Sequence, residues 1–145
     1  MEFSRHCTIN WTGSVMEGSG AVAAGSGAFS LPVTFPRRIG EPEGMTSPEE
    51  LMAAAHAACF AMALNGAVGR KGGAIAKTQI TCKVTADKGE AGIKITTSAL
   101  SLVAEGVTGL DAAAFTAVAH EAESKCPVSN AYRGSMTVTL DVVVK

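Results

Sequence analysis

The sequence predicts an α+β fold, and three observations carry that prediction. Residues 3–35 and 77–103 contain short strand-like runs divided by turn residues, and 77–87 alternates with the two-residue period of a half-buried strand. Between them, Thr46 to Leu64 opens with a helix start, Ser47 to Glu50, and continues as a nearly unbroken apolar run. A second helical stripe follows Asp111, and residues 135–144 alternate again as a closing strand. Antiparallel strands and a buried central helix are the expected result.

Taken in order, residues 3–12, 15–22 and 28–35 read as three strands. They are separated by Gly13, Gly18, Gly20, Gly25 and Gly27, which suit hairpin turns. A three-stranded antiparallel meander is the natural arrangement. Residues 36–45, with Pro36, Pro42, Gly40 and Gly44, read as a loop leading to the central helix. Its adjacent Arg37 and Arg38 are the best local source of positive charge, although two solvated surface arginines would look the same.

The central helix starts at Ser47, a good N-cap. Pro48 stands at the first position, where no amide hydrogen is needed, and Glu50 at the third completes a capping box. That leaves Glu49 without a capping role. No breaker follows until Gly66 and Gly69, and a helix apolar nearly all round belongs inside a protein. Interrupted by His56 and opened by two acids, the run falls short of a membrane span.

Cys59 lies roughly two and a half turns into this helix, beyond the reach of the helix dipole. A reactive thiol there needs a cation from elsewhere. The bland alternative is a buried cysteine packing as a small hydrophobe. His56 precedes it by three residues on one face. A hydrolase pair or a metal site built on these two lacks an oxyanion hole and further ligands, so His56 reads as a satisfied interior or interface histidine.

Residues 77–87 alternate with Ile80, Cys82 and Val84 on one side, 87–92 read as a turn, and 93–103 return as a partner strand. Asp111 caps a helix running to Ser124, with Phe115, Val118, Ala119 and Ala122 inward and His120 and Glu121 outward. In Lys125-Cys126-Pro127-Val128-Ser129 the proline makes Cys126 an N-cap or first-turn residue of a short helix. Such a place favours thiolate modestly, although a junction cysteine can equally be a filler.

The 145 residues suffice for one domain with a real core, 1–145, and a net charge of -1 gives no reason to expect nucleic acid. The N-terminus has no apolar run of a signal peptide, so a cytoplasmic protein is expected. The four cysteines show no CxxC or CxxC/HxxxH spacing, and a cytosolic chain of this size needs no disulfide staples. Cys59, Cys126, an arginine pair and an uncommitted Glu49 are parts for thiol redox chemistry. A thiolate attacks peroxide to give a sulfenic acid, which a second cysteine condenses into a disulfide. An arginine lowers the thiol pKa, and a carboxylate fixes the guanidinium plane.

The run Thr46-Ser47-Pro48-Glu49-Glu50-Leu51 with Ala54-Ala55-His56-Ala57-Ala58-Cys59-Phe60, and the later Cys126-Pro127-Val128-Ser129, resemble the OsmC/Ohr group of osmotically inducible and organic hydroperoxide resistance proteins. The resemblance covers essentially the whole chain and lies nearer the OsmC branch than the Ohr branch. It implies an OsmC-like fold with sheets around the thiol helix and an intertwined homodimer. It implies Cys59 as peroxidatic nucleophile, Cys126 as resolving cysteine, Glu49 as orienting carboxylate and Arg38 as activating cation, with Arg37 as its alternative. It further implies reduction of organic hydroperoxides, and more weakly hydrogen peroxide, without metal, heme or flavin. Electrons would return from a dithiol reductant such as a lipoyl-bearing protein, with no nucleic acid or membrane partner. The alternative is a non-catalytic ligand-binding or structural dimer of the same fold with inert cysteines.

Overall fold

The computed structural model describes residues 1–145. The chain is mixed α+β and falls into two compact units, Met1–Leu51 and Met52–Lys145.

In the first unit, β1 (Cys7–Thr12), β2 (Ser19–Ala24) and β3 (Ser30–Val33) form the expected antiparallel meander. Ile9 stands opposite Val22, and Val22 opposite Leu31. The strands are shorter than their sequence runs suggest. Residues 14–17 form a turn tied by Gly18 N–H to the Ser14 carbonyl at 2.8 Å, with the Ser14 hydroxyl accepting from Glu17 N–H, so Val15 and Met16 leave the ladder.

The expected loop at 36–45 contains a short helix, α1 (Phe35–Ile39). Thr34 caps it by accepting from the Arg37 N–H, and Pro36 sits in the first turn, where its missing donor costs nothing. Arg37 and Arg38 therefore stand on a helix, not on the expected loop.

Helix α2 (Pro48–Arg70) starts as the sequence indicates, with Glu50 N–H donating to the Ser47 hydroxyl at 3.1 Å. The capping box is only half made, because the Glu50 carboxylate accepts instead from the Thr46 hydroxyl at 2.7 Å. The helix runs through Gly66 and Gly69. Each costs about 1 kcal/mol against alanine, and the continuation places Ala67 and Val68 in the core. It stops where Gly72 turns left-handed at φ 77°. There Gly73 N–H bonds the Val68 carbonyl and Gly72 N–H the Gly69 carbonyl, the paired bonds of a Schellman ending.

Only one face of α2 is buried, through His56, Phe60, Leu64, Ala67 and Val68, while Met62 is 72% exposed. The expectation of burial all round does not hold for the single chain. By length and mean hydropathy (1.6) α2 could cross a membrane, contrary to the sequence estimate. Its buried face, however, is built into the core of the second unit.

In that unit β4 (Ala74–Gly89) and β5 (Gly92–Thr108) pair antiparallel from Ala74–Thr108 to Gly89–Gly92, with an irregularity at Thr85/Ala86. The ladder consumes most of the expected turn at 87–92. Glu90 and Ala91 remain, and Gly92 closes them at φ 112°, a conformation that side chains other than glycine's disfavour. Strand β6 (Thr137–Val144) joins β5 in parallel, with Leu100 opposite Leu140, so this sheet is mixed, not antiparallel throughout. A parallel neighbour requires a crossover, which α3 (Ala112–Lys125) and α4 (Pro127–Tyr132) supply.

Phe60, Leu64 and Val68 of α2, Leu100, Leu102 and Ala104 of β5, and Phe115, Val118, Ala119 and Ala122 of α3 make one core. The α3 stripe is the one its spacing predicts. Asp111 accepts from the Ala114 N–H at 2.7 Å, and His120 and Glu121 face solvent.

Candidate active site

The candidate residues form two groups, one in each unit. In Met1–Leu51, Arg38 and Glu49 meet. The Arg38 Nε lies 3.1 and 3.2 Å from the two Glu49 carboxylate oxygens, and Nη2 donates to Oε1 at 2.6 Å. Both side chains are mostly sheltered, at 25% and 14% exposure. The hydrogen bond from Arg38 holds the Glu49 carboxyl below its ordinary range, and the same bond raises the guanidinium further, each against desolvation. Arg37 turns elsewhere, pairing with the more exposed Glu43 at 2.6 Å and with the Glu41 carbonyl. The two adjacent arginines are thus distinguished by their partners, which spacing could not do.

In Met52–Lys145, the second group is arranged on one face of α2. Cys126, the N-cap residue of α4, is fully buried and its thiol donates to the Cys59 sulfur at 3.2 Å. The α3–α4 junction puts it there, because Pro127 cannot continue α3 and instead opens α4, with Cys126 extended between the two helices. Burial pushes the Cys59 thiol up. A hydrogen bond from the Val128 backbone favours the thiolate, and Cys126 opposes it. The two free thiols, one half-buried and one enclosed, are already in contact, so a two-electron oxidant at this pair would find the sulfurs of a disulfide side by side.

His56, one turn before Cys59, is fully buried, with Nδ1 2.6 Å from the Ser98 hydroxyl and Nε2 2.7 Å from the Ser129 hydroxyl. Both ring nitrogens are occupied, which leaves neither for Cys59. Desolvation lowers its pKa, and the Tyr132 ring meets the imidazole edge-on. Cys82 lies beside this group, 3.3 Å from the Ser98 hydroxyl, its thiol pushed up by burial. Cys7 is exposed on an edge strand. No cluster of three or more His, Cys, Asp or Glu side chains has the geometry to hold a metal.

The sequence pattern did not single out Ser98 or Tyr132, and Ser129 entered only as the end of the second cysteine motif. A signal for Ser129 and Tyr132 exists, because Cys126, Ser129 and Tyr132 recur every three residues and so line one face of α4.

The profile of the OsmC-like protein family matches residues 40–141. Over 138 residues the chain is 41% identical to peroxiredoxin OsmC of Escherichia coli strain K12, covering 94% of this chain and 93% of the relative. It is 35% identical over 127 residues to organic hydroperoxide resistance protein OhrA of Bacillus subtilis strain 168, covering 85% and 86%. Among solved structures, the organic hydroperoxide resistance protein OsmC of Legionella pneumophila superposes with a TM-score of 0.74 at 30% identity, covering 94% of this chain and 96% of the other.

Proposed function

As the chain belongs to the OsmC-like protein family, we propose that it is a thiol-dependent hydroperoxide reductase acting on organic hydroperoxides. The reading rests on one observation, the 3.2 Å approach of the Cys126 and Cys59 sulfurs. The Cys59 thiolate attacks one peroxide oxygen, the O–O bond breaks, and the alkoxide leaves as alcohol after taking a proton. The sulfur is left as sulfenic acid. The Cys126 sulfur then attacks Cys59, and the hydroxyl departs with the Cys126 proton as water, forming the disulfide. An external dithiol returns two electrons by exchange.

In this reading Arg38 supplies the positive charge that Cys59 needs against its desolvation, and Glu49 is a positioning residue that holds the guanidinium plane. Arg37, committed to Glu43, is left out. The half-buried, apolar setting of Cys59 favours organic peroxides over hydrogen peroxide. A lipoyl-bearing protein is a suitable dithiol donor, and a reducing cytoplasm suits four free thiols. We assign the uncovered apolar face of α2 around Met62 to a homodimer contact. Sedimentation at micromolar concentration tests this, and a monomer rejects it.

A second reading has one observation in its favour, the upward shift that burial imposes on Cys59. It makes the protein a binding or structural dimer with inert thiols. The deciding experiment adds one equivalent of cumene hydroperoxide, alkylates free thiols and maps peptides by mass spectrometry. A stoichiometric Cys59–Cys126 disulfide reversed by dihydrolipoate supports the reductase, whereas two alkylated thiols support the inert dimer.

A further inference from the structure

Helix α4 meets α2 through three rungs. Cys126 touches Cys59, the Ser129 hydroxyl meets His56 Nε2 at 2.7 Å, and the Tyr132 hydroxyl donates to the Met52 carbonyl at 3.0 Å. On α4 these residues are three apart. On α2 they descend from 59 to 56 to 52, one helical face followed toward its N-terminus. The two helices are therefore laced along one line, with the sulfur pair at its upper end.

The two polar rungs are anchored differently. His56 is itself held at Nδ1 by Ser98 of β5, so the imidazole joins three elements through two hydrogen bonds, in a place without solvent. Tyr132 secures the far end of α4 and covers the imidazole with its ring. At the Cys126 end the side chain makes no capping bond, and the ties run to α3, through Cys126 N–H to the Glu123 carbonyl at 3.1 Å and Asn130 Nδ2 to the Ser124 carbonyl at 3.1 Å. A helix this short keeps little order of its own, so its alignment depends on its contacts: the Arg133–Glu123 pair and Asn130 tie it to α3, and the rungs set how it lies on α2.

We propose that His56, Ser129 and Tyr132 are positioning residues for disulfide closure, holding α4 so that the Cys126 sulfur stays against Cys59. The inference builds on the reductase reading for its biological meaning, but the alignment it describes is a property of the thiol pair. Closure itself is balanced as Cys59 sulfenic acid plus Cys126 thiol giving disulfide plus water. The rungs take no part in the bonds made and broken. Their effect is on how often the sulfurs are in line, the quantity an effective concentration measures.

The test compares wild type with Ser129→Ala, Ser129→Thr and Tyr132→Phe in two assays. Equilibration against glutathione gives the effective concentration of the thiol pair. Rapid mixing with cumene hydroperoxide, with dimedone trapping, separates sulfenic acid formation from closure. We expect Ser129→Ala and Tyr132→Phe to lower the effective concentration and slow closure on the order of ten-fold, with sulfenic acid formation changed less than about three-fold. Ser129→Thr, which keeps the hydroxyl but adds a methyl group at a fully buried site, should lose less than Ser129→Ala, and a loss as large as that of Ser129→Ala counts against the hydroxyl's role. If Ser129→Ala does not fold, Tyr132→Phe carries the test by itself. Wild-type closure and effective concentration in folded Ser129→Ala or Tyr132→Phe overturn the proposal and leave the reductase standing. A wild type that forms no sulfenic acid overturns the reductase, while the glutathione equilibrium still decides for or against the lacing.

Discussion

The Cys126 thiol donates to the Cys59 sulfur at 3.2 Å, although the two residues are 67 positions apart in the chain. One thiol stands mid-helix and the other at a helix junction, so the pair exists only because the β4–β5 hairpin and α3 return the chain to α2.

This contact separates the roles of the two cysteines. Cys59→Ser should abolish turnover of cumene hydroperoxide. Cys126→Ser should still consume about one equivalent in a single oxidation, then stall without an internal bond to pass to the dithiol. Stopped-flow peroxide consumption reads both, and full turnover by Cys59→Ser would remove the nucleophile assignment.

The Arg38–Glu49 pair makes a second prediction. Glu49→Gln should lower kcat/KM on the order of a hundred-fold, because the guanidinium loses its charged partner and its orientation. The acid limb of the pH–rate profile should move to higher pH as the thiolate loses support. Arg37→Ala, which removes the contacts to Glu43 and to the Glu41 carbonyl but leaves the Arg38–Glu49 pair, should leave both unchanged. A large loss in Arg37→Ala would exchange the two arginines.

Stability should depend on pH in two windows. Burial depresses the folded pKa of His56 below its ordinary 6.5. Its contribution is present above about 6.5 and is lost as pH falls through the folded value, where the unfolded chain takes up the proton first. The Glu49 carboxyl, held below its ordinary 4.5 by Arg38, contributes above that value and is lost on further acidification. Urea midpoints measured from pH 8 to 3 should fall in both ranges, and a flat response between 7 and 5 would contradict the buried neutral imidazole.

The core of the second unit offers a control remote from the chemistry. Phe115 is fully buried, and Phe115→Ala should destabilise by about 3–5 kcal/mol through lost transfer energy and a cavity. Denaturant titration reads the cost, and a loss under 1 kcal/mol would mean that α3 collapses onto the vacancy.

Some of this molecule could be derived from order alone. The start of α2 is set by Ser47 and Pro48, which act on groups a few residues away, and the inward stripe of α3 follows from helical spacing. The β4–β5 pairing is equally local, because a short turn fixes register. The OsmC-like resemblance likewise rests on two short motifs, around Cys59 and around Cys126.

Other features depended on partners distant in sequence, which local pattern does not encode. Arg38 and Arg37 are chemically alike neighbours, and only the turn of α1 points one at Glu49 and the other at Glu43. The Glu50 carboxylate had two possible donors, and the folded chain gives it Thr46. The apolar composition of α2 says that it can be buried, but which face meets β5 and α3 and which stays open at Met62 is a matter of packing. His56 was legible as a satisfied histidine. That its partners are Ser98 and Ser129 follows from β5 and α4 converging on one helix, since a buried imidazole takes whatever hydroxyls the tertiary structure brings to it.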